Sequence, residues 1–489
     1  MLKTAGWLLP AILALAGCSS SGQRHEQTLS QALTALGQDK ALIGASSGVM
    51  VRDAESGTVL YQAQAEQRLA PASNMKMFTS LAAFGVLGAD YRFETRLLTT
   101  GEQRGDTLRG DLYLQGSGDP TLHPDDLDTF AATLAQRGIR HIHGRLILDA
   151  SAFDQTPFGA GWSWDDEPFA FAAPISALNY AFTPGGDINV VRVDVQPGAR
   201  AGAPGRVSFY PANDAVTLVN RTTTTGGDTA LTFDRQPGSN RIVVSGTVAA
   251  QAEASSRLIT VDQPARVVGA LLQNALRAHG ITLRGNAEEG VTPAGARLLA
   301  EKTSPPLSRL AVTFLKVSNN GYGEVLTKAM GRKTQGKGDW AAGLQAIGRF
   351  VQSQGIEAGA YRQVDGSGLS RMNQITPQQL TTLLLAARKQ PWFADWYNAL
   401  PIAGQPGLLV GGTLRSRMVK SAAAGRAHAK SGSMTGVSSL SGYVDSATGR
   451  PLAFAIISNN YLVPGAEVKA LEDRLVETLA ACDATVVCR

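Results

Sequence analysis

The pattern of apolar and polar positions divides the chain into three textures. Apolar positions at helical spacing predict a short helix over residues 29–36. The alternating stretches 48–53 and 58–62 flank Ala54-Glu55-Ser56-Gly57 and predict a β-hairpin. An apolar run from about 71 to 84 predicts a helix with Ser73 in its first turn. From about residue 91 short alternating strands take over, including 93–98 and 110–114, with a helix at 125–136. Residues 207–248 are strand-and-turn material, in which Thr222 to Thr225 reads as a strand end. Helices return after Thr303-Ser304-Pro305-Pro306, at 307–315, 324–330, 340–352 and 377–388. Strands follow at 426–431, 439–445 and 451–458, the last two joined as a hairpin across 446–450. An amphipathic helix at 466–480 is suited to pack on that sheet.

The middle texture reads as an inserted module. A weak internal repeat marks it. Leu134 to Ile139 runs into His143-Gly144-Arg145-Leu146, and the theme returns where Asn274 to Ile281 runs into Leu283-Arg284-Gly285. Both are a helix ending at glycine, then a strand. The insertion is placed at about 93–298, with a smaller β-rich lobe at about 155–262. The flanking segments 29–92 and 299–489 then form one α+β domain, an antiparallel sheet flanked by helices.

Composition narrows the partners. The 489 residues include 53 glycines, and the formal charge of +5 is spread along the chain. No basic run or aromatic-basic interleaving points to nucleic acid. At the N-terminus Lys3 precedes a short apolar core from Gly6 to Leu15, too short to span a bilayer. Leu15-Ala16-Gly17-Cys18 follows. Residues 1–17 read as a secretory signal, and the motif resembles the bacterial lipobox, in which cleavage leaves Cys18 as a lipidated first residue. The alternative is a plain signal peptide with an incidental cysteine. Residues 18–28 read as a tether. Serine after the cysteine resembles lipoproteins sent to an outer membrane, so the expected location is the periplasm, with a lipid anchor to the membrane. Cys482 and Cys488 are expected to close a local disulfide in an exported chain. The six histidines have no metal-ligand spacing, so no metal is expected.

Candidate chemistry begins at Ser73. Ser73-x-x-Lys76 is the sole Ser-x-x-Lys of the chain. Residues three apart share a helix face, and a helix N-terminus adds partial positive charge. A serine needs such a base to act as a nucleophile. Alone, the spacing is also that of an ordinary capped helix. Ser318-x-Asn320 lies at a break between two helices, and Lys430-Ser431-Gly432 lies on a predicted strand just before Ser433. A second Ser-x-Asn, Ser458-Asn459-Asn460, ends a strand downstream of Lys430 and is treated as a loop.

Ser-x-x-Lys, Ser-x-Asn and Lys-(Ser/Thr)-Gly in this order resemble the signature set of penicillin-recognising serine enzymes. The long stretch between Ser73 and Ser318 resembles the penicillin-binding protein 4 type of D-alanyl-D-alanine carboxypeptidase/endopeptidase. Three further stretches are similar to that family: 112–122, 161–166 and 365–371. The resemblance implies a transpeptidase/β-lactamase-like domain split by a large β-rich insertion. It implies a cofactor-free serine hydrolase that acts on peptidoglycan stem peptides through a Ser73 acyl-enzyme and is acylated by penicillins and other β-lactam antibiotics. In that scheme Lys76 takes the serine proton, with Lys430 helping to depress its pKa, and Ser318 relays a proton to the leaving amine. Asn320 holds Lys76 and the substrate amide. Lys430 and Ser431 meet a carboxylate, Gly432 lets the substrate backbone approach, and the N–H groups of Ser73 and Ser433 form the oxyanion hole. Asp166 and Arg371 are similar to residues that receive the ends of a diaminopimelate side chain. Serine replaces the commoner threonine at 431, so tuned activity is expected. A β-lactamase and a catalytically silent, lipid-anchored peptidoglycan-binding protein are the rival readings.

Overall fold

The computed structural model describes residues 27–482 and 487–488. Cys18 and the leader lie outside the described residues, as does the side chain of Cys488. Cys482 is disulfide-bonded. The last two residues of the expected tether, Gln27–Thr28, form a strand paired with Val487–Cys488.

The sheet that carries the site has five antiparallel strands. Their order across the sheet is Ala427–Met434, Val437–Asp445, Pro451–Asn459, Ser46–Asp53 and Val59–Ala63. The first and last parts of the chain therefore meet at its centre, where Ser46–Asp53 pairs with Pro451–Asn459. Both faces are covered, so the central strands read as continuous apolar runs rather than as clean alternation. Ala453, Ala455 and Ile457 face one core with the helix Met75–Leu87, and Leu452, Phe454 and Ile456 face the other. That second face packs the helices Leu29–Gly37 and Gly465–Ala481.

Met75–Leu87 is buried on every side from Met75 to Phe84. A helix apolar all round belongs inside a larger assembly. It packs against Asn320–Gln335, Trp340–Ser353 and Pro377–Ala387. The last begins with a capping box at Thr376 and a proline in its first turn. A further helix, Phe393–Asn398, follows it. It is six residues long, too short for a periodic pattern to announce it.

The region between has its own core. Its largest sheet runs Ala287–Glu289, Leu146–Asp149, Leu112–Gly116, Glu94–Thr99 and Arg297–Thr303. The chain enters on Glu94–Thr99 and leaves on its neighbour, with Glu94 opposite Thr303. Residues 299–303, expected in the catalytic part, are thus on the insertion side of this sheet. The repeat seen in the sequence has a spatial counterpart. The helices Pro124–Gln136 and Pro264–Ala278 pack together, and the strands that follow them, His141–His143 and Thr282–Leu283, lie side by side in parallel. Two three-stranded sheets between Val190 and Thr260 make up the smaller lobe. Thr222 to Thr225 ends one of their strands, Thr217–Thr225.

Ser458-Asn459-Asn460 is not a loop. Ser458 and Asn459 are the last residues of the strand Pro451–Asn459. Asn459 accepts the Ala70 N–H at 2.7 Å and donates to the Ala70 carbonyl at 3.0 Å, both buried. It clamps the segment that leads into Ser73. Asn459→Ala leaves two buried backbone groups unpaired and is expected to cost about 3 kcal/mol. Urea denaturation measures it, and a loss under about 0.5 kcal/mol would show that the clamp is dispensable.

Candidate active site

Ser73 stands on a short 3₁₀ turn, Ala72–Asn74, that runs directly into Met75–Leu87. It was expected within the first turn of the helix itself. The turn is held from the sheet. Ser439 Oγ donates to the Pro71 carbonyl at 2.7 Å, Asn74 Nδ2 donates to Ser439 Oγ at 2.6 Å, and Ser441 Oγ bonds Asn74 Oδ1. Ser439 and Ser441 are two apart on Val437–Asp445 and so share a face. Ala72 has φ of +47°, an uncommon conformation for a residue with a Cβ. Gly368 lies against it, and a Cβ at Gly368 would stand 1.9 Å from the Ala72 carbonyl oxygen.

Lys76 is fully buried. Its Nζ lies 2.8 Å from Ser73 Oγ, 2.7 Å from Asn320 Oδ1 and 2.7 Å from the Ser367 carbonyl. A neutral amine has two N–H groups and one lone pair. Asn320 Oδ1 and Ser367 O take the two hydrogens, which leaves the lone pair for the Ser73 hydroxyl. Burial pushes the Lys76 pKa down to about 7, against the opposing pull of Glu324 and Asp365. The depression expected from Lys430 is not the cause. Lys430 is itself fully buried, and it is pushed well below its ordinary value by that burial and by Lys76.

Lys430 Nζ lies 2.8 Å from Ser318 Oγ and donates to the Ser431 carbonyl. Ser318 holds φ of +65° just before the helix Asn320–Gln335. Asn320 also donates through Nδ2 to the Phe171 carbonyl at 2.8 Å, so a loop of the insertion reaches the site. Trp162 does the same, with Nε1–H donating to Asp365 at 3.0 Å. The similar stretches 161–166 and 365–371 are therefore in direct contact.

A cavity of about 550 Å³ opens in front of these groups. Its lining brings together Ser73, Ser318, Asn320, Ser433, Asp166 and Arg371. Lys76 and Lys430 lie behind the wall. Ser431 is not on the lining, and its hydroxyl bonds Thr413 Oγ1 at 2.8 Å. Asp166 is pushed upward by partial burial and by Asp165, with Arg371 opposing. Arg371 donates to the Thr435 carbonyl at 2.8 Å.

The strand Ala427–Met434 is the sheet edge. Residues 401–403 cover its first half, through Ala403 N–H to Ala427 O and Ala429 N–H to Pro401 O. By the two-residue period Ser431 and Ser433 turn their backbone groups the same way, towards the cavity side. An extended substrate can add there as a strand. Gly432, expected to admit the substrate backbone, instead makes room for the Ser73 turn, since a Cβ would stand 2.6 Å from the Pro71 carbonyl and 3.0 Å from Ser73 N.

The sequence drew attention to Ser73, Lys76, Ser318, Asn320 and Lys430 but missed Asn74, Ser439, Ser441, Glu324 and Phe171. Polar residues inside the otherwise apolar strand 437–445 were the available signal for the two serines.

A serine facing a buried amine beside a sheet edge, in this fold, defines a serine hydrolase of the transpeptidase/β-lactamase-like class. The chain belongs to the D-Ala-D-Ala carboxypeptidase 3 (S13) family, which it matches over residues 29–482. It is a serine-type D-Ala-D-Ala carboxypeptidase of the penicillin-binding protein 4 type. It is 41% identical over 480 residues to a D-alanyl-D-alanine carboxypeptidase of Actinomadura sp., covering 97% of this chain and 88% of that one. The crystal structure of penicillin binding protein 4 from Haemophilus influenzae superposes with a TM-score of 0.80 at 27% identity, over 91% of this chain and 98% of that one. A structure of the same protein complexed with a β-lactam gives 0.76 at 26% identity, with the same coverage.

Gly432→Ala is expected to push the Ser73 turn off the edge strand and to slow hydrolysis of a D-Ala-D-Ala peptide about 100-fold. Steady-state kinetics check it, and a wild-type kcat/KM would remove the close-packing argument.

Proposed function

We propose that the protein releases the terminal D-Ala of peptidoglycan stem peptides through an acyl-enzyme on Ser73. The carrying observation is the Lys76 amine, buried and shared among Ser73, Asn320 and Ser367. Lys76 takes the hydroxyl proton as Ser73 Oγ attacks the D-Ala-D-Ala carbonyl. The N–H groups of Ser73 and Ser433 stabilise the oxyanion. The leaving amine takes the Ser318 hydroxyl proton, which Lys430 Nζ, 2.8 Å away, replaces. Water then resolves the ester and restores Ser73: the attacking water gives a proton through Ser318 back to Lys430, and Lys76 returns its proton to Ser73 Oγ. Lys430, with Ser431 and Ser433, meets the terminal carboxylate, whose charge favours protonation of this otherwise depressed amine. Asn320 orients the substrate amide.

Asp166 and Arg371 share the Ser73 cavity, which supports their reading as receivers of the amino and carboxylate ends of a diaminopimelate side chain. With that side chain bound, a D-Ala–diaminopimelate crosslink is a second substrate, and the enzyme is also a DD-endopeptidase. The β-lactam complex of the Haemophilus influenzae protein supports acylation of Ser73 by penicillins. The signal and Cys18 support a periplasmic enzyme lipid-anchored to the outer membrane. Palmitate labelling of wild-type and Cys18→Ser protein tests the anchor, and label retained by the variant argues against it.

Fluorescent penicillin should label the wild-type protein and leave Ser73→Ala unlabelled; retained label would falsify the assignment of the nucleophile. Lys76 must be neutral to act, and its pKa lies at about 7. The acylation rate should therefore rise as pH increases through about 7 and fall away below it. A rate that is flat across that window assigns the base to another group.

A further inference from the structure

Two buried acids stand beneath the site with no part in the chemistry above. Glu324 and Asp365 are both fully buried. Glu324 lies on Asn320–Gln335, one turn beyond Asn320. Its Oε1 accepts the Ser367 N–H at 2.7 Å, and its Oε2 accepts the Gly366 N–H at 2.8 Å and Trp340 Nε1–H at 2.7 Å. All three partners are donors, the set that suits an ionised carboxylate. The peptide it grips returns to the helix of Lys76. The Gly366 carbonyl accepts Thr79 Oγ1–H at 2.7 Å, and the Ser367 carbonyl carries Lys76 Nζ at 2.7 Å. Lys76 and Thr79 are three apart and so share a helix face.

Asp365 has a different task. It accepts N–H groups from Gly368, Ser370, Asn373 and Trp162 at 2.7 to 3.0 Å and so shapes the loop that follows. Through the Gly368 N–H it also steadies the peptide whose carbonyl holds the amine, whereas Glu324 grips the two N–H groups that precede that carbonyl, those of Gly366 and Ser367. Charged groups face this pair from every side. Lys76 is met by Glu324, by Asp365 from the loop and by Lys430 from the edge strand. Glu324 is also faced by Lys328, which pairs with Asp154 at 2.5 Å and lies within reach of Asp339.

We propose that Glu324 is a positioning residue for Lys76: it fixes the Gly366 and Ser367 N–H groups that lead into the carbonyl holding the amine, and its charge sets the pH at which the amine takes the Ser73 proton. This rests on the reading of Lys76 as the base. Burial and Asp365 raise the Glu324 carboxyl to about 7, so its charge responds in the range where Lys76 works. A negative charge here favours the protonated amine. Removing it lets Lys76 lose its proton at lower pH.

The test is the acylation rate with fluorescent penicillin, between about pH 5 and pH 9, for Glu324→Gln and Glu324→Asp. The Gln variant should show a lower plateau and an acid limb moved about one unit to lower pH. The Asp variant, which keeps the charge, should hold the limb at its wild-type position even with a lower plateau. Lower plateaus in both with the limb unmoved in both would mean packing alone, and would overturn the proposal. Where a thermal melt shows Glu324→Gln unfolded, Trp340→Phe takes its place. It removes one N–H from the carboxylate and should move the limb the same way by less; no movement overturns the proposal equally. Failure of the parent reading looks different. An acid limb that persists in the residual rate of Lys76→Ala assigns it to another group and removes both readings together.

Discussion

The site depends on one amine kept from water. Lys76 reaches oxygens from three segments, the Ser73 turn, the start of the helix at Asn320 and the loop at Ser367. An ammonium in such a place carries a desolvation cost of several kcal/mol, whereas the neutral amine does not. Burial thus turns an ordinary lysine into a base near neutral pH, with no need for a neighbouring cation. Lys430 obeys the same rule a short distance away, and Lys76 makes it harder still to charge. The two lysines are not equivalent. Lys76 faces two carboxylates, while Lys430, among the described residues, bonds Ser318 and a backbone carbonyl.

The fold holds this arrangement by tying every piece to something rigid. The Ser73 turn hangs from Ser439 and Ser441 of the second strand and from Asn459 of the third. The left-handed conformations at Ala72 and Ser318 flank the reacting groups and are the strain that such bonds must hold in place. The edge strand is left partly open, covered by 401–403 at one end and reaching the cavity at Ser433. An exposed edge is a hazard for aggregation. Here it is short and faces the insertion across the cavity.

Much of this was legible in the sequence, because the reacting residues come in short motifs whose spacing reflects helix and strand geometry. Ser73 with Lys76, and Lys430 with its glycine, are local facts. The helices at 307–316 and 377–387 announce themselves by apolar period and, in the second, by a capping box. Buried polar supports are another matter. Asn459 repeats the Ser-x-Asn pattern and has no chemistry to perform, so its clamp on Ala70 emerges only when strand 451–459 is placed beside residue 70. Glu324 looks like any helical glutamate until Gly366 and Ser367 fold over it. The source of Lys76 basicity was misassigned for the same reason, since burial is a property of the whole fold and a second lysine is visible in one dimension.

The insertion belongs to the same machine. Phe171 holds the amide of Asn320, Trp162 holds Asp365, and Asp154 pairs with buried Lys328 beneath Trp340. Each contact ends on a residue one step from Lys76 or from Glu324. Asn320 has two amide ends, one on Lys76 and the other on the insertion, so its side chain cannot turn without breaking both. A module that merely decorated the surface would not take one half of the hydrogen bonds of the asparagine on Lys76. The position of the insertion, between the nucleophile and Ser318, follows from this. It lets a loop from outside the sheet-and-helix domain become the fourth wall of the cavity, facing the edge strand across Ser73. The insertion's wall of the cavity and the groups around Lys76 are then braced by the same hydrogen bonds.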